Sequence, residues 1–252
     1  MSKFRLEGKV AIVTGVGQVN GKHIGLALAE AGADVCLVAR TRPVIDETAS
    51  EIEAMGRRAL PLTADVTDSK QADGVAAEAR AKLGRIDILC NHVGGGGREC
   101  PILATSDGDW HDAFLGNLYS MFYCTRAVGR VMVDQRQGGS IINTSSVASS
   151  WTPPNRTAYS VAKAAVNQFT RCMANELGPH GIRVNSIMLG AFENAGPKIA
   201  PWLAESIVTT TPLGRFGRKD EAAPAVVYLA SEASSFVTGV ILRVSGGRVL
   251  FG

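Results

Sequence analysis

The stretch Lys9-Val10-Ala11-Ile12-Val13-Thr14-Gly15-Val16-Gly17-Gln18-Val19-Asn20-Gly21 decides how the chain folds: a β-branched apolar run stops at a glycine, and an apolar helical pattern follows from Ile24 through Ala31. The order predicts strand, glycine-rich turn and helix. Such a turn leaves backbone N–H groups at a helix start, beside residues small enough for a pyrophosphate to approach. The spacing departs from G-x-G-x-x-G, because after Gly15 and Gly17 the third glycine, Gly21, comes one residue late. A bare strand-to-helix turn is the competing reading; the strand before and the helix after put the phosphate reading ahead of it.

The same alternation repeats outward from this stretch. Apolar runs at 35–39, 59–62, 86–91, 140–144, 182–187 and 239–244 read as further strands, the one that begins at 59–62 ending at Asp65. Helical periodicity occupies 43–55, 69–83, about 107–133 and 220–231, and a further helix carries Tyr159 and Lys163 early and runs to about Leu177. Strands apolar on both faces and separated by helices predict a parallel sheet with right-handed crossovers. The fold class is therefore α/β: one doubly wound domain over residues 1–252, with about seven parallel strands and helices on both faces. A stretch at about 190–217, with weak periodicity and prolines and glycines near its ends, reads as a flap over an active site.

Composition narrows the class. At 46% hydrophobic and 19% charged residues, the chain has the apolar content of a large core, which excludes disordered and fibrous classes. Its net charge of +3 comes without a basic run, so neither nucleic acid nor an anionic membrane is expected as a partner. Five cysteines without C-x-x-C spacing suggest neither a disulfide framework nor a zinc site, and fit a reducing, cytoplasmic setting. The N-terminal residues lack a signal-peptide core, and no run of about 18 apolar residues is present to span a bilayer. The four histidines are scattered, so no metal site is expected; His92, just after the fourth strand, is the one nearest the expected chemistry.

That chemistry centres on Tyr159-Ser160-Val161-Ala162-Lys163, with Ser146 thirteen residues before the tyrosine. On a helix, residues four apart share a face, so an ammonium can stabilise a phenolate beside it and make the phenol a usable acid or base. The upstream hydroxyl can then hold a carbonyl oxygen next to that phenol. Alone, Tyr-x-x-x-Lys occurs by chance on many solvated helix faces, and its meaning comes from context. Coenzyme choice is read at the end of the second strand, where Ala39-Arg40-Thr41-Arg42 offers guanidinium groups and no acid until Asp46. A guanidinium suits a 2′-phosphate, whereas an acid would bind the 2′-hydroxyl, so NADP(H) is favoured with NAD(H) possible.

Thr14-Gly15 with Gly21, Asp65-Val66, Asn91, Asn117, Ser146, Tyr159, Lys163 and Asn185 stand together at the spacings of the short-chain dehydrogenase/reductases, as do Pro179-His180-Gly181-Ile182-Arg183-Val184-Asn185 and Pro212-Leu213-Gly214-Arg215-Phe216. The chain resembles that family over nearly its whole length. The resemblance implies a Rossmann-type fold and hydride transfer between NADP(H) and a carbonyl or secondary alcohol. It implies Tyr159 as proton donor, Ser146 on the carbonyl, Lys163 on the nicotinamide ribose and Asn117 on a proton-relay water. The implied coenzyme contacts are Gly15, Gly17, Gln18, Asn20, Gly21, Arg40, Thr41, Asp65, Val66, Asn91, Gly94, Tyr159, Lys163, Gly190, Phe192 and Asn194. Val19 stands where the family has glycine, Asn20 where an aliphatic residue is common, His92-Val93 within the usual Asn-Asn-Ala-Gly, Leu189 in place of proline, and Asn194 in place of threonine. Substrate contacts are expected from Ser146, Trp151, Tyr159 and Trp202, which favour a neutral or moderately apolar carbonyl or alcohol. A homotetramer or homodimer through the central helices is expected. The alternative is a nucleotide-binding sensory or regulatory protein on the same fold with little turnover, suggested by the altered glycine turn.

Overall fold

The computed structural model describes residues 2–17, 19–151, 153–193 and 201–248, with the backbone alone described at residues 2 and 201–203. Seven strands, β1 (Val10–Thr14), β2 (Asp34–Ala39), β3 (Ala59–Thr63), β4 (Ile88–Asn91), β5 (Gly139–Ser146), β6 (Ile182–Leu189) and β7 (Ile241–Val244), form one sheet in the order β3-β2-β1-β4-β5-β6-β7. Every neighbouring pair is parallel. Eight α-helices alternate with them among the described residues: α1 (Asn20–Glu30), α2 (Arg42–Ala54), α3 (Ser69–Leu83), α4 (Asp107–Phe114), α5 (Ser120–Gln135), α6 (Thr157–Leu177), α7 (Pro201–Thr209) and α8 (Ala223–Ala230).

The continuous apolar runs follow from burial on both faces. Ala11, Val13, Val35 and Leu37 join one core with α1, α2 and α8, while Val10, Ile12, Cys36 and Val38 join a second with α3 and α5. Alternate side chains of a strand point to opposite faces, so a two-sided core requires an unbroken apolar strand. Asp68 caps α3 by accepting from Lys70 N at 2.8 Å. The tetrapeptide Asp109-Trp110-His111-Asp112 lies on α4, where Asp109 forms a capping box with Ser106.

Two differences from the sequence reading bear on the site. The helix expected at about 107–133 is interrupted by a π-helical turn, Leu115–Tyr119. There Asn117 donates through Nδ2 to the carbonyl of Ala113 at 2.8 Å, so a side-chain amide takes an acceptor that the regular ladder would use. In addition, β5 and β6 run past their expected ends, to Ser146 and Leu189, which pair with each other. The longer strands carry the serines directly to the crevice.

A chain of buried amides fastens the centre of the sheet to its helices. Asn91 donates to Thr125 Oγ1 and to Asn143 Oδ1, each at 3.0 Å, and Asn143 donates to Thr170 Oγ1 at 3.0 Å. Removing a member leaves buried partners unpaired. Asn143→Ala is therefore expected to lower unfolding stability by about 2 kcal/mol in urea titrations; a change below about 0.5 kcal/mol, the range of an inconsequential surface substitution, would contradict this role.

Candidate active site

Strand order reverses between β1 and β4, and a doubly wound sheet opens its ligand crevice at such a point, outside the carboxyl ends of the strands. Two cavities occupy that crevice. One, of about 460 Å³, is lined by Gly15, Gly17, Arg40, Thr41, Asp65, Val66, Gly94 and Asn117 among others. The other, of about 220 Å³, is lined by Asn20, His92, Ser146, Tyr159, Lys163, Gly190 and Phe192 among others. His92, Gly94 and Gly95 border both, which makes the two a continuous groove. A further cavity of about 460 Å³ at the amino ends of the strands, beside Lys9, Asp87, Arg183 and Phe236, holds none of the expected site residues.

Lys163 lies on α6 one turn beyond Tyr159, is only 3% exposed, and donates through Nζ to the carbonyl of Thr144 at 2.8 Å. Burial pulls its pKa down to about 8. Its Nζ stands 5.9 Å from the centre of the Tyr159 ring. Asn117 holds the adjoining loop: its Oδ1 accepts from Gly95 N at 3.2 Å and its Nδ2 donates to Gly95 O at 3.0 Å. A Cβ on Gly94 would stand 2.6 Å from Asn117 Oδ1 and 3.0 Å from Lys163 Nζ, so the loop closes on these side chains only with glycine there.

The two serines at the end of β5 separate cleanly. Ser145 is buried and its hydroxyl donates to the carbonyl of Lys163 at 3.3 Å, which fixes α6 against the strand. Ser146 is half-buried at the cavity wall, and its Oγ accepts from Ala148 N at 3.2 Å. His92 sits opposite, with Nδ1 2.9 Å from Thr144 Oγ1. Burial, helped by the charge of Lys163, pulls its pKa down to about 4 and leaves the ring neutral near pH 7. Arg156, three residues before Tyr159, places its guanidinium carbon 4.8 Å from the centre of the tyrosine ring. Glu99 approaches Arg156 Nε at 3.1 Å, but off the N–H direction, so that N–H has no hydrogen bond. Sequence reasoning passed over Arg156, which stands at the residue just before α6 and is brought over the tyrosine ring by the start of that helix.

At the other end of the groove, Arg40 hydrogen-bonds nothing among the described residues, whereas Arg42 is tied to Asp46 at 2.8 Å. The Asp65 carboxyl is held below its usual range, first by the hydroxyl and N–H of Thr67, with the Arg40 charge contributing. Helix α1 begins at Asn20 with no side-chain cap. Gly21 follows where a Cβ would stand 2.4 Å from the carbonyl of Gly15. An uncapped helix start, a glycine cradle, a guanidinium without a protein partner and a buried amine spread along one groove suit a dinucleotide.

The remaining expected residues are placed as follows. The Asn91 side chain is committed to the buried amide chain under the groove. Trp151 is 42% exposed, lies under the guanidinium of Arg248 at 5.0 Å, and lines neither cavity of the crevice. Gln18 and Asn194 lie outside the described residues, as does the side chain of Trp202.

Comparison with known proteins agrees with this geometry. Residues 15–248 match the family model described as enoyl-(acyl carrier protein) reductase. The 3-oxoacyl-[acyl-carrier-protein] reductase FabG of Thermotoga maritima is 36% identical over 248 residues, covering 98% of this chain and all of that protein. Among solved structures, a 7α-hydroxysteroid dehydrogenase complexed with NADH and 7-oxo glycochenodeoxycholic acid superposes with a TM-score of 0.93 at 35% identity, covering 98% of this chain and 96% of that one. A gluconate 5-dehydrogenase from Burkholderia cenocepacia J2315, in complex with NADP and tartrate, gives a TM-score of 0.93 at 33% identity, covering 99% and 98%.

Burial disfavours the ammonium, so Lys163 costs the folded chain stability below about pH 8, and the cost fades as pH rises towards the ordinary lysine value of 10.5. The stability of Lys163→Met relative to the parent is expected to fall steadily across that window in urea unfolding. A difference that stays flat with pH would contradict the buried-ammonium assignment.

Proposed function

Because the chain belongs to the short-chain dehydrogenase/reductase superfamily, a class of NAD(P)-dependent oxidoreductases, we propose that it transfers a hydride between NADP(H) and a carbonyl or secondary-alcohol substrate, with Tyr159 as general acid or base. The observation that carries this reading is the convergence of Ser146, Tyr159 and the buried Lys163 on one cavity that continues into the groove ending at Arg40.

The coenzyme supplies or takes up the hydride when bound. Gly15, Gly17 and the uncapped start of α1 would hold its pyrophosphate, Asp65 and Val66 would flank the adenine, and Arg40 with Thr41 would receive the 2′-phosphate. In the reducing direction charge develops on the carbonyl oxygen, and Tyr159 donates its hydroxyl proton there. Ser146 donates a hydrogen bond to the same oxygen and fixes it beside the phenol. Lys163 keeps a positive charge on the tyrosine's face of α6 and would present its remaining N–H groups to the ribose; Asn117 holds the Gly94–Gly95 loop against it and would serve a proton-relay water there. His92 remains neutral and orients Thr144, whose carbonyl is the lysine's acceptor.

The relatives act, by name, on acyl-carrier-protein thioesters, steroids and sugar acids, so the family places no single substrate in this cavity. A homotetramer or homodimer is proposed to cover Trp110, Phe122 and Val161, each exposed by more than a third on α4, α5 and α6. Among the described residues no helix is long and apolar enough to cross a membrane.

Tyr159→Phe is expected to lower kcat by about 100-fold or more while coenzyme affinity, read by quenching of tryptophan fluorescence, stays near the parent's. Retained turnover in that variant would refute the assignment of Tyr159. Arg40→Ala is expected to raise the Kd of NADPH by about tenfold and leave that of NADH little changed; equal effects on both would refute the coenzyme preference.

A further inference from the structure

Asn20 is 5% exposed, at the first position of α1, and its Oδ1 is buried without a hydrogen-bond partner. Its amide nitrogen likewise bonds nothing among the described residues. Buried side-chain carbonyls are nearly always paired, and leaving one unpaired costs folding free energy, so an orphan on a side chain at a cavity wall is a candidate for completion by a ligand. The cavity concerned is the smaller one, shared with Ser146, Tyr159, Lys163, Gly190 and Phe192, and not the Arg40 end of the groove. No carboxylate lines it, and its other polar groups have assigned partners or roles: Lys163 donates to Thr144, His92 meets Thr144 Oγ1, and Ser146 accepts from Ala148.

We infer that the Asn20 carboxamide is a positioning group for the nicotinamide half of the coenzyme, accepting a hydrogen bond from a donor on that half, its carboxamide NH2 or a ribose hydroxyl. This rests on the coenzyme reading given above and gives the side chain of one of its residues a separate role: backbone N–H groups of the turn serve the pyrophosphate, whereas this carboxamide serves the reactive end. An aliphatic residue at the same place would fill the space and satisfy nothing. The arrangement exchanges stability of the free protein for affinity, because the unpaired oxygen is costly only while the cavity lacks its ligand.

The test compares the parent with Asn20→Leu and, in case leucine overfills the space, Asn20→Ala. Melting temperatures are measured on the free proteins, and dissociation constants for NADPH, NADH and 2′,5′-ADP, which lacks the nicotinamide half, by calorimetry. The inference expects at least one variant to melt at or a few degrees above the parent, to bind the favoured reduced coenzyme roughly tenfold more weakly, and to bind 2′,5′-ADP as the parent does. It is overturned if both variants bind the reduced coenzyme like the parent, if 2′,5′-ADP weakens equally, or if both free variants melt well below the parent, which would make the carboxamide structural. A parent that binds neither reduced coenzyme would overturn the coenzyme reading itself and this inference with it.

Discussion

A buried ammonium is expensive to keep, and the site is built around keeping one. Lys163 is 3% exposed, and its Nζ donates to the carbonyl of Thr144, 2.8 Å away. Burying a charge is tolerated when hydrogen bonds replace water, and even so the amine's pKa is drawn down towards neutrality. The neighbourhood is shaped to the same end. Strand β5 extends to Ser146 so that Thr144 lies beneath the amine, Ser145 ties the lysine's own carbonyl to the strand, and Gly94 leaves room for Nζ and the Asn117 carboxamide together. The π-helical turn brings Asn117 round to the Gly94–Gly95 loop. With the amine fixed, the tyrosine one turn earlier is fixed too.

The two ends of the groove are built differently. Around Lys163 most polar groups already have protein partners, which fits a centre that holds its geometry before any ligand arrives. Along the phosphate side the groups stand ready but unpaired: α1 begins without a side-chain cap, and Arg40 has no hydrogen bond among the described residues. A helix start without a side-chain cap and a guanidinium without a protein partner are groups that can meet an anion.

Much of this was legible in the residues. Two-sided apolar strands alternating with amphipathic helices can bury their surfaces only in a doubly wound parallel sheet, and Ser146, Tyr159 and Lys163 keep their mutual offsets because a strand end and one helix set them. What escaped depended on atoms that carry no sequence signature. The acceptor for Lys163 is a backbone carbonyl, and the π-helical turn that interrupts the long helix is where one side-chain amide bonds to Ala113. Asn91 has the position expected of a groove residue, yet the alternation of a strand turns its side chain into the core, where Thr125 and Asn143 receive it. Arg156 was overlooked because a loop residue just ahead of a helix reads as a surface charge until the helix lays it over the tyrosine ring.

The most direct test of hydride transfer at this site is to follow reduced-nicotinamide absorbance while the protein meets a panel of ketones and secondary alcohols, from oxoacyl thioesters to sugar acids and steroids, with each coenzyme in turn. The account predicts steady turnover of at least one carbonyl or alcohol class, faster at low coenzyme concentration with NADP(H) than with NAD(H). Tight coenzyme binding without turnover across the whole panel would contradict it and point to a nucleotide-sensing protein on this fold.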